Sequence, residues 1–172
     1  MLLLARYVLP VSHPHIEDGA VLVRDGAIVA VGSRTDLLRD HPDEEVVDYG
    51  LAALMPGFVD LHTHMEYTVF RGVVDDLPYT EWKMAVHGRE HLLSDQDWQD
   101  SAVLGAIEAI RSGITTVADI TASGASVQAT QDSGLRGVVY REVQTMDTAS
   151  VDRVMAEAVA DLARWTVRTS ER

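Results

Sequence analysis

The sequence predicts an α/β chain: a small β segment over residues 1–54, then βα units on a parallel sheet over 55–172. Three observations carry this. The run Leu54-Met55-Pro56-Gly57-Phe58-Val59-Asp60-Leu61-His62 is nearly all apolar rather than alternating, as expected of a parallel strand covered on both faces. Strand-like and helix-like stretches then alternate with short connections, which is the pattern of βαβ units. Before them, Asp25-Gly26 sits between two apolar runs and suits a tight type I′ hairpin turn.

The elements follow in order. Ala20-Val21-Leu22-Val23-Arg24 and Ala27-Ile28-Val29-Ala30-Val31 form the hairpin arms. Residues 33–39 suit a short helix, His41-Pro42-Asp43-Glu44 a polar turn, and 45–49 another strand. After the strand over 54–62 comes a long stretch, 66–93. Ser94-Asp95-Gln96-Asp97 then resembles a capping box, opening a helix whose Trp98, Val103, Leu104, Ile107 and Ile110 are spaced for one buried face. Gly113 stops that helix. A β-branched strand follows over 114–120, then a helix over 126–133 ended by Gly134, and a third strand over 137–143. Ser150 is placed to cap a last helix with Val151, Val154, Met155, Ala158 and Leu162 on one side. The tail Trp165-Thr166-Val167-Arg168-Thr169-Ser170-Glu171-Arg172 has no apolar period. Three βα units are present, where a closed α/β barrel takes eight and about 250 residues.

Composition narrows the function. The chain has 172 residues, 47% apolar and 24% charged, enough for a domain with a core. Fourteen basic against 27 acidic residues leave a net charge of −13, which argues against a nucleic-acid backbone or an anionic membrane as partner. There is no cysteine, so any metal must be held by histidine and carboxylate. The opening Met1-Leu2-Leu3-Leu4-Ala5-Arg6 lacks the basic lead-in and cleavage site of an export signal, and no apolar run reaches membrane-spanning length. A cytoplasmic location is the expectation.

The chemistry concentrates at His62-Thr63-His64. Side chains alternate along a strand, so residues two apart leave on one face, and both imidazoles point into one spot at the strand's exit. Two convergent imidazoles are half of a metal site. Glu66 lies two residues further on, where it could touch substrate or orient a ligand. Trp82, in the long segment after the strand, is a candidate pocket wall. Asp119 ends the second strand, and Arg141-Glu142 end the third; those positions face the functional mouth of an α/β barrel. Glu142 is a candidate for catalysis beside Glu66. His87-Gly88-Arg89-Glu90-His91 matches the signature of inverted zinc proteases, but Gly88 weakens the helix it needs. His13-Pro14-His15 reads as a polar turn.

The N-terminal β segment, residues 54–64 and Arg111-Ser112-Gly113-Ile114-Thr115-Thr116-Val117-Ala118-Asp119 together resemble the amidohydrolase superfamily. More narrowly they look like its chlorohydrolase/aminohydrolase branch. Arg71-Gly72, Asp75-Asp76-Leu77-Pro78 and Trp82 are similar to the nucleoside-type deaminases of that branch. The resemblance implies a TIM-like barrel, here its first three βα units, preceded by part of a small β-sandwich. It implies one divalent metal, zinc or else iron, with His62 and His64 as the ligands from the first barrel strand. It also implies hydrolytic deamination of an amino-substituted ring, adenosine-like, guanine- or cytosine-type, by metal-activated water. The family's third histidine, its metal-binding aspartate and its proton-shuttling glutamate come from later strands.

Three readings therefore stay open. The chain is a truncated or frameshifted piece of a hydrolase; or one subunit of a split enzyme; or a non-catalytic binding or assembly protein on a remnant fold. A lone chain is expected to self-associate, or to need the missing half of the barrel, to cover what three βα units leave open, whereas a monodisperse, metal-free, stable species would support the third reading.

Overall fold

The computed structural model describes residues 1–145 and 147–165; the reading of the tail beyond Trp165 lies outside these described residues. The fold is mixed α/β, and its contacts divide it into two units, Met1–Pro56 and another starting at Gly57.

In the first unit, β1 (Leu2–Val8), β2 (Ile16–Arg24) and β3 (Ala27–Ser33) form an antiparallel meander, and β4 (Val46–Asp48) and β5 (Ala53–Leu54) pair in parallel with β1. Asp25 and Gly26 both have positive φ, 50° and 74°, as a type I′ turn demands. The leucines that open the sequence are strand residues. Leu2 and Leu4 are buried with Ala20, Leu22 and Leu37, the last from α1 (Arg34–Asp40). Ser33 caps α1 by accepting from the Asp36 N–H at 3.1 Å.

One expectation needs correcting at the unit boundary. The apolar run over 54–62 is not one strand: Leu54 pairs with Val8 in the first sheet, and β6 (Phe58–Thr63) starts a second. Pro56 lacks the N–H a ladder needs, and Gly57 approaches Thr115 so closely that a Cβ would lie 2.3 Å from its methyl.

In the second unit, β6, β7 (Ile114–Thr121) and β8 (Arg136–Arg141) form a parallel sheet in that order. Between β6 and β7 run a 3-10 turn (Met65–Phe70), α2 (Tyr79–Glu90) and α3 (Asp95–Arg111); α4 (Ala125–Ser133) joins β7 to β8, and α5 (Val151–Arg164) follows. The long stretch over 66–93 thus holds a helix that a weak apolar period hid. The capping box of α3 is present: the Asp97 N–H donates to Ser94 Oγ at 3.2 Å and the Ser94 N–H to Asp97 Oδ2 at 2.9 Å. Ser150 gives α5 no such bond; its hydroxyl is engaged with Asp147 and Thr145, and Asp147 caps the short turn before the helix instead.

The core is built from small residues. Ala102 and Ala106 of α3 pack with Met65, Val117, Ala125, Ala129 and Leu135, flanked by Trp98 and Val103. Leu104, Ile107 and Ile110, expected inside, are exposed, as are Met155 and Leu162 of α5. The reason is steric: α3 turns its Ser101-Ala102-Gly105-Ala106 side inward, and a Cβ on Gly105 would lie 2.8 Å from the Met65 carbonyl oxygen. The expected two-sided cover of β6 is likewise absent within the described residues, since Phe58, Val59 and Leu61 are 52%, 57% and 79% exposed and β6 has β7 as its sheet neighbour.

Candidate functional site at the strand ends

The carboxyl ends of β6, β7 and β8 bring the polar residues together. His62 is the penultimate residue of β6, and its N–H is tied back to Asp60 Oδ1 at 3.1 Å. The ladder slips by one residue between Asp60 and Thr63, so β6 bulges where the first histidine sits. His64 follows the strand and opens the 3-10 turn. The two rings lie 5.3 Å apart between centroids at 71°. Thus the imidazoles converge, but through a bulge and a turn rather than simple alternation.

Tyr67, one turn further on, stacks on His64 at 5.4 Å and 13°. Its hydroxyl donates to Glu90 Oε1 of α2 at 2.9 Å, and burial together with Glu90 drives its ionisation far above the ordinary range. Glu90 also receives His87 Nδ1 at 2.7 Å. Lys83 Nζ lies 5.5 Å from the centre of the Tyr67 ring and 3.9 Å from Glu142 Oε1, which follows β8. Trp82 is half-buried and stacks on Tyr79 at 6.2 Å. Arg141 turns away to Asp161 at 2.8 Å.

Glu66 is 1% exposed. Its Oε1 accepts from the Ala122 N–H at 2.7 Å, and its Oε2 accepts from the Ser123 N–H at 3.3 Å and from the Thr121 and Ser123 hydroxyls. Asp119 is fully buried, and its Oδ1 accepts from the Met65 N–H at 2.8 Å. Burial pushes its carboxyl up to about 6, offset in part by the nearby Ser126 hydroxyl and the Met65 N–H.

Three buried atoms, His64 Nδ1, Asp119 Oδ2 and Ser126 Oγ, have no hydrogen-bond partner among the described residues, and the last two belong to residues that interact with each other. Unsatisfied polar atoms in a buried setting are costly and mark a place for a further group. The donor set is incomplete, however: no group of three or more His, Asp or Glu side chains among the described residues could hold a metal ion. The residues present suit a divalent cation as half of its ligand shell. His87 and His91 do not form such a group either. Sequence reasoning missed Tyr67 and Lys83. A turn of three residues per cycle after His64 would have placed Tyr67 beside it.

Comparison with known proteins points the same way. The amidohydrolase family matches residues 53–167, and the bacterial imidazolonepropionase-like composite domain matches 19–43. A 5-methylthioadenosine/S-adenosylhomocysteine deaminase of Thermodesulfovibrio yellowstonii is 37% identical over 158 residues, which are 85% of this chain and 35% of the relative. The chain thus spans about a third of that relative's length. Among solved structures, an adenosine deaminase from Xanthomonas campestris with bound zinc superposes with a TM-score of 0.69 at 27% identity, over 96% of this chain and 39% of that one. Helicobacter pylori aminofutalosine deaminase, in complex with methylthio-coformycin, shares the fold with a TM-score of 0.77 at 23% identity, over 97% of this chain and 41% of that one.

Proposed function

This chain belongs to the amidohydrolase family, and on that premise we propose that it forms the N-terminal portion of a hydrolase that deaminates an adenosine-like ring. The observation that carries the proposal is the His62–His64 pair, 5.3 Å between ring centroids, at the carboxyl end of a parallel strand. The deaminase relatives support the reaction, and the adenosine compounds in their names support the substrate class.

His62 and His64 would hold a divalent ion, and zinc suits two imidazoles in a chain without cysteine. Such an ion, when bound, supplies the Lewis acidity that makes water a nucleophile at neutral pH. Tyr67 stacks on His64 and is itself held by Glu90, which fixes the plane of the imidazole. Tyr67 stays protonated, so its hydroxyl donates to Glu90 and adds no charge beside the pair. Lys83 offers a cation above the Tyr67 ring, with the Glu142 carboxylate 3.9 Å from it, and the pair suits the polar substituents of a small substrate. Trp82 with Tyr79 offers an aromatic face to a ring.

Two ligands do not complete the reaction. The third histidine, the aspartate and the proton-moving glutamate that the family resemblance implies are assigned to further βα units of the barrel, in this polypeptide or in another. The exposed Phe58, Val59 and Leu61 of β6, and the edges of β6 and β8 that are unpaired among the described residues, support such a complement. The sheet over 1–54 is assigned to part of the small β-sandwich.

The test is ammonia release from 5-methylthioadenosine and adenosine in the presence of zinc. It is run with the chain alone and with the remaining βα units of a relative supplied as a second polypeptide. The expected result is release in the complemented mixture and its loss in H62A. No release with any complement, or release that survives H62A and H64A, contradicts the proposal.

A further inference from the structure

Two buried carboxylates join the end of β6 to the end of β7, and the chemistry proposed above uses neither. Both are closed to solvent, and neither is ion-paired among the described residues. A carboxylate taken out of water without a cation is costly unless hydrogen bonds replace its hydration. Both must be held by an arrangement worth that cost.

The arrangement is reciprocal. Glu66 leaves the turn after His64 and reaches the β7–α4 connection, where it accepts from two backbone N–H groups and two hydroxyls. The hydroxyls pass the contact on: Thr121 Oγ1 accepts from the Gly124 N–H at 2.9 Å, and Ser123 Oγ from the Ala125 N–H at 3.1 Å. Helix α4 has Gly124 at its N-cap and no side-chain cap of its own. Glu66 itself accepts from Ala122 and Ser123, which precede α4, and reaches the first N–H of the helix, that of Ala125, only through the Ser123 hydroxyl; its negative charge sits near the favourable helix end. In the opposite direction Asp119 of β7 accepts from the N–H of Met65, the residue between His64 and Glu66. Ser101 of α3 closes the frame, donating to the Glu66 carbonyl at 2.7 Å and accepting from the Val69 N–H at 2.8 Å.

We propose that Glu66 and Asp119 are positioning residues: a two-way latch between the strand ends that fixes where His62 and His64 point. Glu66 acts through the backbone of its own turn, and not by contact with substrate. The inference rests on the reading of His62 and His64 as a metal pair.

The experiment is amide hydrogen exchange together with ring-to-ring NOEs on the whole 172-residue chain, without added metal. It compares the wild type with E66Q, D119A, D119N and S123A. The latch predicts that E66Q lowers protection at least tenfold at Ala122 and Ser123, and also at Met65, whose own acceptor is untouched. D119A exposes Met65 and, in return, Ala122 and Ser123. D119N keeps an oxygen that accepts from Met65 and so restores protection there. The His62–His64 NOE weakens in E66Q and D119A and survives in D119N. S123A, which removes one donor and leaves the carboxylate, shows the same pattern at smaller amplitude should E66Q fail to fold. Loss of protection confined to each carboxylate's own donors, with the ring NOE unchanged, overturns the latch. Zinc is then added. An unchanged zinc affinity in E66Q beside a responding wild type also overturns the latch. Wild-type histidines that ignore zinc overturn the metal reading, while linked exchange at Met65, Ala122 and Ser123 still upholds the latch.

Discussion

Gly105→Ala pits helix propensity against packing in a way the structure decides. In an exposed helix interior this change gains about 0.5–1 kcal/mol, because glycine loses more backbone entropy on folding. At position 105 the new methyl would sit 2.8 Å from both the Met65 carbonyl oxygen and Thr68 Oγ1, and 3.0 Å from Met65 Cα. Two of those three atoms are backbone, so relief requires α3 and the turn over 65–70 to separate. Overpacking of this kind costs roughly 1–3 kcal/mol. Subtracting the propensity gain leaves a net loss of about 0–2.5 kcal/mol, centred near 1. All three tryptophans, at positions 82, 98 and 165, belong to the second unit, so urea unfolding followed by tryptophan emission reports that unit alone. The expected result is a lower midpoint with the slope unchanged. A variant stabilised by 0.5 kcal/mol or more would show that α3 does not pack on the turn as described.

Three further outcomes follow from single contacts. Ser94→Ala removes the hydroxyl that accepts from the Asp97 N–H, leaving only the backbone half of the α3 capping box, and should cost about 1 kcal/mol in the same assay. Gly26→Ala meets no neighbouring atom but keeps φ at 74°, so backbone strain alone should cost about 1 kcal/mol, read by far-ultraviolet circular dichroism of the first unit's sheet. Asp119 concerns pH. Its folded carboxyl titrates at about 6 against an ordinary 3.8, so the folded state binds the proton more tightly. The stability this contributes is fully present below about pH 4 and lost as pH rises through about 6, at most about 3 kcal/mol. The surface carboxylates with lowered values, Asp97 and Glu108 among them, act with the opposite sign at lower pH, so the readout is wild type minus variant. Asp119→Asn should flatten the difference between pH 4 and 7; an unchanged slope would refute the assignment.

What the sequence revealed and what it hid divide along physical lines. Asp25-Gly26 and Ser94 to Asp97 act through bonds within four residues, and a local pattern suffices to read them. The βα order of the second unit was legible for the same reason, since strand and helix periods differ. The packed side of α3 was not. Its apolar period offers Leu104, Ile107 and Ile110 as readily as Ala102 and Ala106, and which side goes inward depends on how close the turn after β6 comes. The break at Pro56-Gly57 was visible as residues but was outweighed by the apolar run around it. At the site, the spacing of His62 and His64 announced convergence, although the bulge that shapes it left no local trace. The burial of Glu66 was beyond reach, because its donors at Thr121, Ala122 and Ser123 lie more than fifty residues downstream.

Whether His62 and His64 act as one half-site is tested directly by a zinc titration of the chain followed through the imidazole signals of its seven histidines. The predicted result is that His62 and His64 respond together at one dissociation constant while the other five stay still, and that H62A or H64A abolishes the response of the remaining partner. Independent responses of the two rings, or a stronger response at His87 and His91, would contradict it.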